Sequence, residues 1–251
     1  MSEAVEARAE TLLGGRVRID QTGAGLRATI DPVLLAAAVP AEPGEAVLEA
    51  GTGIGTASLC LLARVPGARA VGIERDPLQA ARAEANAALN GWSDRFAAIA
   101  GDITDRATER AAARHGPYAH AMANPPWFSS GNEPAEPGRR LAKHAGEADL
   151  GHWVGVLARR VAPRGSVTLI LPPALLPQAL SGFAAAGIGS PTLFPLWPRA
   201  GREAKRLLLS GRKGGRSPCR VLAGLVLHRE EGGFTAAAEA VLRHGEQLPL
   251  L

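Results

Sequence analysis

The hydrophobic positions of this chain fall into short apolar runs that alternate with longer stretches of helical periodicity. The runs Ala46–Ala50, 70–73, 96–101 and Tyr118–Ala123 are apolar at most positions, which is typical of strands buried in a parallel sheet. Alanine-rich and leucine-rich stretches between these runs predict helices, the first of them over residues 56–65. This alternation predicts an α/β fold built on a mostly parallel sheet.

The two ends of the chain extend this pattern. After the alternating region we expect a helix over 150–161, a strand over 166–171, a helix over 173–186, and last strands over 204–210 and 221–228. Before it, residues 14–19 are expected to form a hairpin with 26–29, and Asp31 is expected to be the N-cap of a helix over 33–39. We therefore divide the chain into an N-terminal extension, residues 1–43, and a main domain, residues 44–251.

A glycine-rich turn follows the first buried run. Gly51, Gly53 and Gly55 stand at alternate positions before a helix, and the next strand ends at Glu74. Glycine lets a loop backbone come close to a ligand, and a carboxylate at the end of the second strand can accept both hydroxyls of a ribose. The GxGxG spacing, without Gly-Lys-Ser/Thr, favours S-adenosylmethionine over a dinucleotide or a P-loop ligand. The alternative for Glu74 is a solvated acid.

The tetrapeptide Asn124-Pro125-Pro126-Trp127 follows the fourth buried run and carries the candidate chemistry. A planar amine must localise its nitrogen lone pair before that nitrogen can attack a methyl sulfonium. Two acceptors aimed at its N–H groups favour this change, because they strengthen as positive charge develops on nitrogen. The side-chain oxygen of Asn124 and the carbonyl of Pro125 are the candidates, while Pro126 stiffens the backbone and Trp127 offers a stacking face. The alternative is a simple turn.

Asp102 follows the third buried run and completes the set of polar residues at strand ends. A carboxylate there can accept the adenine amine of the cofactor, although aspartate is also common at turns and helix N-caps. Taken with the glycine turn and Asn124, it predicts methyl transfer from S-adenosylmethionine to a planar nitrogen.

Composition restricts the class of protein. The chain has 251 residues, of which 46% are hydrophobic, so one large domain with a substantial core is possible. No apolar run reaches the length needed to span a bilayer, and the acidic N-terminal residues lack a signal-peptide pattern. Cys60 and Cys219 form neither a disulfide framework nor a zinc spacing. We therefore expect a cytoplasmic protein without a metal site.

Positive charge is concentrated near the C-terminus. The whole chain carries +4, whereas residues 199–220 contain eight basic residues and one acid, a net charge of +7. Glycines between them suit a loop that contacts RNA phosphates, and a solvated loop is the alternative. The RNA-binding candidates are Arg199, Arg202, Lys205, Arg206, Arg212, Lys213 and Arg216, together with Arg139, Arg140 and Lys143 from a smaller cluster.

These motifs together resemble the bacterial tRNA adenine methyltransferases that modify the adenosine beside the anticodon of a valine tRNA. The resemblance is carried by residues 29–35, the GxGxG turn, Glu74, the tetrapeptide at 124–127 and the basic tail, and it covers nearly the whole chain. It implies a Rossmann-like class I methyltransferase fold with a seven-stranded, mostly parallel sheet, helices on both faces and a short N-terminal extension.

The same resemblance implies roles for single residues. Asn124 and Pro125 would hold the target adenine amine, and Trp127, where this family usually has tyrosine, would stack on the base. S-adenosylmethionine would be the methyl donor and tRNA the partner. The implied cofactor-binding residues are Asp31, Glu49, Gly51, Gly53, Gly55, Glu74, Asp102 and Asn124.

Three other functions stay open at this point. A guanine amine in RNA could be the acceptor, and so could a protein glutamine, because an amide nitrogen poses the same lone-pair problem. The basic tail argues against the glutamine. A non-catalytic RNA-binding protein that keeps the fold is a third possibility, against which the intact Asn124-Pro125-Pro126 argues.

Overall fold

The structure is a computed structural model that describes residues 9–21, 29–125 and 150–250. Five of the candidate site residues, Pro126, Trp127, Arg139, Arg140 and Lys143, lie outside the described residues. Their expected roles therefore stay predictions.

The described strands form a small hairpin and one large sheet. They are β1 (Glu10–Leu12), β2 (Val17–Ile19), β3 (Ala46–Ala50), β4 (Arg69–Glu74), β5 (Phe96–Ala100), β6 (Tyr118–Ala123), β7 (Val161–Leu171), β8 (Ile188–Trp197), β9 (Arg206–Lys213), β10 (Arg220–Val221) and β11 (Leu225–Val226). Within the described residues the large sheet has nine strands, in the order β10-β8-β9-β7-β6-β3-β4-β5, with β11 also pairing with β8. The strands β3 to β9 form the expected seven-stranded, mostly parallel sheet, because β9 alone among these seven is antiparallel to its neighbours.

Helices cover both faces of this sheet. The described α-helices are α1 (Asp31–Ala38), α2 (Thr56–Arg64), α3 (Pro77–Leu89), α4 (Arg106–Ala113), α5 (Leu150–Arg160), α6 (Leu176–Ala185) and α7 (Ala236–Leu242). Apolar side chains of α1, α2, α3 and α7 pack in the core on one face, and those of α4, α5 and α6 pack in the core on the other. The expected α/β fold, a mostly parallel sheet with helices on both faces, is confirmed. Among the described helices, none combines the length and the apolar character that a membrane span requires.

Parallel strands give the sheet two chemically different edges. We call the edge at which β3 to β7 end the carboxyl edge, and the edge at which they begin the amino edge. Strand β9 runs in the opposite direction, since Leu207 pairs with Leu171 and Arg212 pairs with Ser166. It therefore begins at the carboxyl edge and ends at the amino edge.

The structure corrects the sequence predictions at four places. Strand β2 pairs with the preceding β1 rather than with residues 26–29, most of which lie outside the described residues. Ile30 is the N-cap of α1, and Asp31 is the first residue of that helix. Strand β8 was not predicted, and the strand expected over 221–228 is reduced to the short β10 and β11.

The sequence of β8 explains why it was missed. Pro191 and Pro195 interrupt the apolar pattern, and a proline cannot donate to a strand ladder. The structure accommodates Pro191 in an irregularity of the β8–β9 register between Gly189 and Thr192. Pro195 lies between the stretches of β8 that pair with β10 and β11, so its missing N–H breaks no ladder there.

Candidate active site

The glycine turn leaves the carboxyl edge after β3 in a conformation that requires glycine. Gly51, Gly53 and Gly55 have φ angles of 69°, 55° and 87°, in the left-handed region that other residues adopt at a cost. The backbone N–H groups of Gly51 and Thr52 both donate to the carbonyl of Ile73, at 2.8 and 3.0 Å. These two bonds hold the start of the turn against the end of β4.

Glu49 is buried beneath this turn and not exposed on the ligand side. Its side chain is 3% exposed and accepts hydrogen bonds from Thr52 Oγ1 at 2.7 Å, Ser58 Oγ at 2.5 Å and Ser58 N at 3.1 Å. Burial raises the pKa of Glu49 to about 7, against the lowering effect of these hydrogen bonds. Glu49 therefore anchors the turn to the first residues of α2, and Thr52 and Ser58, which sequence reasoning missed, supply the contacts.

Glu74 stands at the end of β4, beside the same turn. Its carboxylate accepts one hydrogen bond from Gly53 N at 2.8 Å and another from Asp76 N at 2.9 Å. Side chain and turn therefore hold each other in place. Gly72 of β4 gives the turn room to pack against this strand. A Cβ on Gly72 would lie 2.4–2.7 Å from the side chain of Thr52, which belongs to the turn.

Asp102 follows β5, next to β4 in the sheet. Thr104 donates to Asp102 Oδ1 through its backbone N at 2.8 Å and its hydroxyl at 2.7 Å, and Arg75 Nη1 lies 4.0 Å from Oδ2. Partial burial works to raise the pKa of Asp102, but these hydrogen bonds and the charges of Arg75 and His152 outweigh it and lower the pKa. Asp102 therefore presents an ionised carboxylate near Glu74.

Asn124 and Pro125 follow β6, on the other side of β3 from Glu74. Ala50 pairs with Ala123, so the glycine turn and the Asn124-Pro125 segment leave adjacent strands at the same edge, about 4.8 Å apart. Asn124 is half-buried, and within the described parts of the chain its side chain makes no hydrogen bond. Its amide oxygen and nitrogen are therefore available at this edge.

Trp153 of α5 also contributes to the site, and the sequence analysis missed it. Nothing in the local sequence indicates that its side chain contacts the glycine turn. A Cβ on Gly51 would lie 3.2 Å from the ring of Trp153, so the indole packs directly under the glycine turn. Trp153 is buried, which makes it part of the core beneath the site. In the described residues no group of His, Cys, Asp and Glu side chains could hold a metal ion.

Asp31 pairs with a basic residue that was expected to contact RNA. Arg206 Nε lies 2.9 Å from Asp31 Oδ2, and both side chains are mostly buried. Because Arg206 is the first residue of β9, the pair lies at the carboxyl edge and ties the beginning of α1 to the sheet.

The basic segment 199–220 does not form one loop. Arg199, Arg202, Lys205 and Arg206 lie at the carboxyl edge, between the end of β8 and the start of β9. Arg212, Lys213 and Arg216 lie at the amino edge, about 20 Å away along β9. Lys213 Nζ donates to the carbonyls of Ala158 and Val161, both at 2.8 Å, and so binds the end of α5.

Sequence comparison with known proteins agrees with a methyltransferase site at the carboxyl edge. No protein-family model matches the chain. The chain is 31% identical over 220 residues to the tRNA1(Val) (adenine(37)-N6)-methyltransferase of Aeromonas hydrophila, covering 86% of this chain and 89% of that protein. It is 35% identical over 161 residues to the protein of the same name from Porphyromonas gingivalis, covering 62% of this chain and 63% of that protein.

Solved structures show the same fold. A predicted O-methyltransferase from Agrobacterium tumefaciens has a TM-score of 0.72 at 22% identity, over 87% of this chain and 98% of that one. A geranyl diphosphate methyltransferase in complex with SAM has a TM-score of 0.50 at 15% identity, over 73% of this chain and 84% of that one. At these identities the likeness shows the class I methyltransferase fold and says nothing of the acceptor.

Proposed function

Since this chain belongs to the tRNA1(Val) (adenine(37)-N6)-methyltransferase family, we propose that it methylates the exocyclic amine of an adenosine in tRNA, with S-adenosylmethionine as the methyl donor. The relatives' name specifies position 37, beside the anticodon, and we propose the same position for this chain.

The residues at the carboxyl edge fit this cofactor. Gly53 has open space where a Cβ would stand, so the turn leaves room for a ligand close to its backbone. Two backbone N–H groups hold Glu74, which would accept the ribose hydroxyls, and the ionised Asp102 would accept the adenine amine. When bound, S-adenosylmethionine supplies a methyl carbon made electrophilic by its sulfonium.

The chain's own part in the reaction is to prepare the acceptor nitrogen. The amide oxygen of Asn124 and the carbonyl of Pro125 would accept hydrogen bonds from the target amine, which localises the nitrogen lone pair as positive charge develops. Such a mechanism requires no strong base, because the proton leaves after the nitrogen becomes cationic. Trp127 would stack on the flipped base, which is typically worth about 1–3 kcal/mol.

One observation carries the proposal beyond family membership. The β3–β6 register places Asn124, with no hydrogen-bond partner in the described chain, directly beside the turn that Glu74 holds. The usual turn bond, from the side-chain oxygen of asparagine to the backbone N–H two residues on, is not open to Asn124, because Pro126 has no N–H. Asn124 is therefore better explained as a group that binds the acceptor.

Labelled S-adenosylmethionine and total tRNA test this function, with nucleoside mass spectrometry as the readout. We expect label on the amine of adenosine in one tRNA species, and no label with Asn124→Ala. Label on guanosine would agree with the fold and the mechanism but would show that the acceptor is a guanine amine. Absence of label in tRNA, with label in protein glutamine, would overturn the proposed acceptor.

A further inference from the structure

The amino edge, opposite the candidate active site, is strongly basic. The described loops and strand ends at this edge, residues 39–45, 65–69, 90–95, 114–117, 162–165 and 212–220, contain eight basic residues and three acidic ones. The acids are Glu42, Glu45 and Asp94. Charge of this density at one edge of a sheet creates a positive potential that attracts polyanions.

Five exposed arginines dominate this edge, and we call them the arginine row: Arg69, Arg114, Arg164, Arg212 and Arg216. The first three lie outside the segment that the sequence singled out. Strands β4, β3, β6, β7 and β9 are consecutive neighbours, so the row spans about 20 Å across four strand spacings. A stretch of this length can contact several phosphates of one nucleic-acid backbone.

Charge in the arginine row is not neutralised by ion pairs with the described part of the chain. None of the five arginines forms an ion pair within the parts of the chain that the structure describes. Of the acids at this edge, Glu45 is engaged with His120, whose Nε2 lies 3.1 Å from Glu45 Oε2. By contrast, Arg159 and Arg160 of α5 both pair with Glu109.

Backbone conformation adds a second observation at the centre of the row. Arg164 has a φ of 67°, where glycine or asparagine would be less strained. The turn around it packs tightly, because a Cβ on Gly165 would lie 2.1 Å from the carbonyl of Ala119. An arginine is thus held, exposed, at a position that local backbone energetics do not favour.

We propose that the arginine row is a second RNA-binding surface, which contacts the phosphate backbone of a duplex segment of the RNA substrate away from the target base. The RNA partner rests on the proposed function. Phosphate contacts position a nucleic acid without reading its sequence, and they make binding depend steeply on salt. A surface about 20 Å from the carboxyl edge would add affinity and orientation while leaving the reacting groups untouched.

Binding of two RNA probes to a triple variant tests the proposal. The variant is Arg69→Ala, Arg114→Ala and Arg164→Ala, and the probes are a full-length tRNA and an RNA duplex without a target adenosine. We expect both dissociation constants to rise about tenfold or more at low salt, and the slope of log affinity against log salt to fall by about 2 to 3. The corresponding lysine variant should restore most of the affinity, since it keeps the charge.

A matched control removes the same charge elsewhere. Arg106→Ala, Arg110→Ala and Arg243→Ala take three exposed arginines from α4 and from the end of α7. Binding of S-adenosylmethionine to each variant, measured by calorimetry, serves as the check that the variant is folded. If the two triple variants bind both RNA probes equally well, the arginine row is a solvated surface and the proposal is overturned.

The two proposals fail in different ways. Methylation of tRNA by the wild type, with unchanged RNA binding by the arginine-row variant, would remove the second surface and keep the function. Loss of duplex binding in that variant, with no methyl transfer to tRNA by the wild type, would keep the surface and remove the function.

Discussion

The two edges of the central sheet use the same residue types for opposite purposes. The side chain of Asn124 at the carboxyl edge makes no hydrogen bond within the described residues. By contrast, the side chain of Asn90, just after α3, accepts a hydrogen bond from Arg18 N at 2.8 Å and donates one to Arg18 O at 2.7 Å. Glu74 at the carboxyl edge borders a glycine turn, whereas Glu45 at the amino edge binds His120. The difference teaches that a polar residue's contacts, and not its type, separate the site from the scaffold.

Charge also differs between the edges. The described segments at the carboxyl edge mix acids, such as Glu74 and Asp102, with the basic residues 199–206, while the amino edge is predominantly basic. An adenosine-bearing sulfonium cofactor suits carboxylates close by, and an RNA backbone suits arginines. Five predictions separate these roles.

The pair Asn124→Ala and Asn90→Ala gives the largest contrast. We expect Asn124→Ala to lower turnover about a hundredfold or more, like the loss of one preorganised polar contact, with S-adenosylmethionine affinity retained. Asn90→Ala should instead lower the free energy of unfolding by about 1–3 kcal/mol, because two backbone groups of Arg18 lose their partner. Steady-state kinetics and urea unfolding measure the two effects. Equal turnover of the wild type and Asn124→Ala would remove Asn124 from the mechanism.

The pH dependence of stability tests the buried Glu49. Its pKa in the folded state is raised from 4.5 to about 7, so the contribution of Glu49 to wild-type stability should fall as pH rises from about 4.5 and level off above about 7. Glu49→Gln does not titrate, and its stability relative to the wild type should grow by about 3 kcal/mol across this range. Urea unfolding at several pH values measures this difference. A difference independent of pH would mean that Glu49 is not buried as described.

His120 at the amino edge provides the control with the opposite sign. Burial lowers the pKa of His120 below its ordinary value of 6.5, against the opposing effect of Glu45. Folding therefore favours the neutral ring, and stability should be lost as pH falls below about 6.5. The variant His120→Gln should lose this acid-side dependence and keep the dependence that comes from Glu49.

Glu74→Gln compares the two edges through cofactor affinity. Loss of the charge should weaken S-adenosylmethionine binding about tenfold, since hydrogen bonds to a charged acceptor are stronger than those to a neutral one. Glu45→Gln removes a carboxylate from the amino edge and should leave this affinity unchanged. Isothermal titration calorimetry measures both constants. If both variants bind S-adenosylmethionine as tightly as the wild type, Glu74 does not bind the ribose.

Lys213→Met has the smallest expected effect. It tests whether a basic residue at the amino edge stabilises the fold or binds RNA. We expect the free energy of unfolding to fall by about 1 kcal/mol, because Nζ leaves the carbonyls of Ala158 and Val161 at the end of α5. The salt dependence of RNA binding should stay as in the wild type, whereas Arg216→Met should reduce it. A reduced slope for Lys213→Met would return this lysine to the RNA-binding set.

Much of the candidate site could be predicted because its signals are local. Glycine at 51, 53 and 55, an acid ending the next strand, and Asn-Pro after a buried strand each reflect the backbone or the chemistry of a single segment. The parallel β3, β4, β5 and β6 then bring these strand ends to one edge without further information.

Other features were not predictable because they depend on distant partners. Glu49 was expected to bind the cofactor, but its burial against Thr52 and Ser58 follows from how α2 packs on β3. The ion pair between Asp31 and Arg206 joins residues 175 positions apart. No periodicity or spacing in the sequence reports such contacts.

By itself, the sequence determined the alternation of strands and helices, the glycine turn and the polar strand ends, because these follow from local hydrophobic pattern and backbone chemistry. Only the tertiary structure decided where the positive charge goes. The antiparallel β9 carries one continuous basic segment from the carboxyl edge to the amino edge, and the parallel strands bring Arg69, Arg114 and Arg164 to its far end. Strand direction is set by long-range pairing, so neighbours in sequence became opposite ends of the sheet, and residues far apart in sequence became one surface.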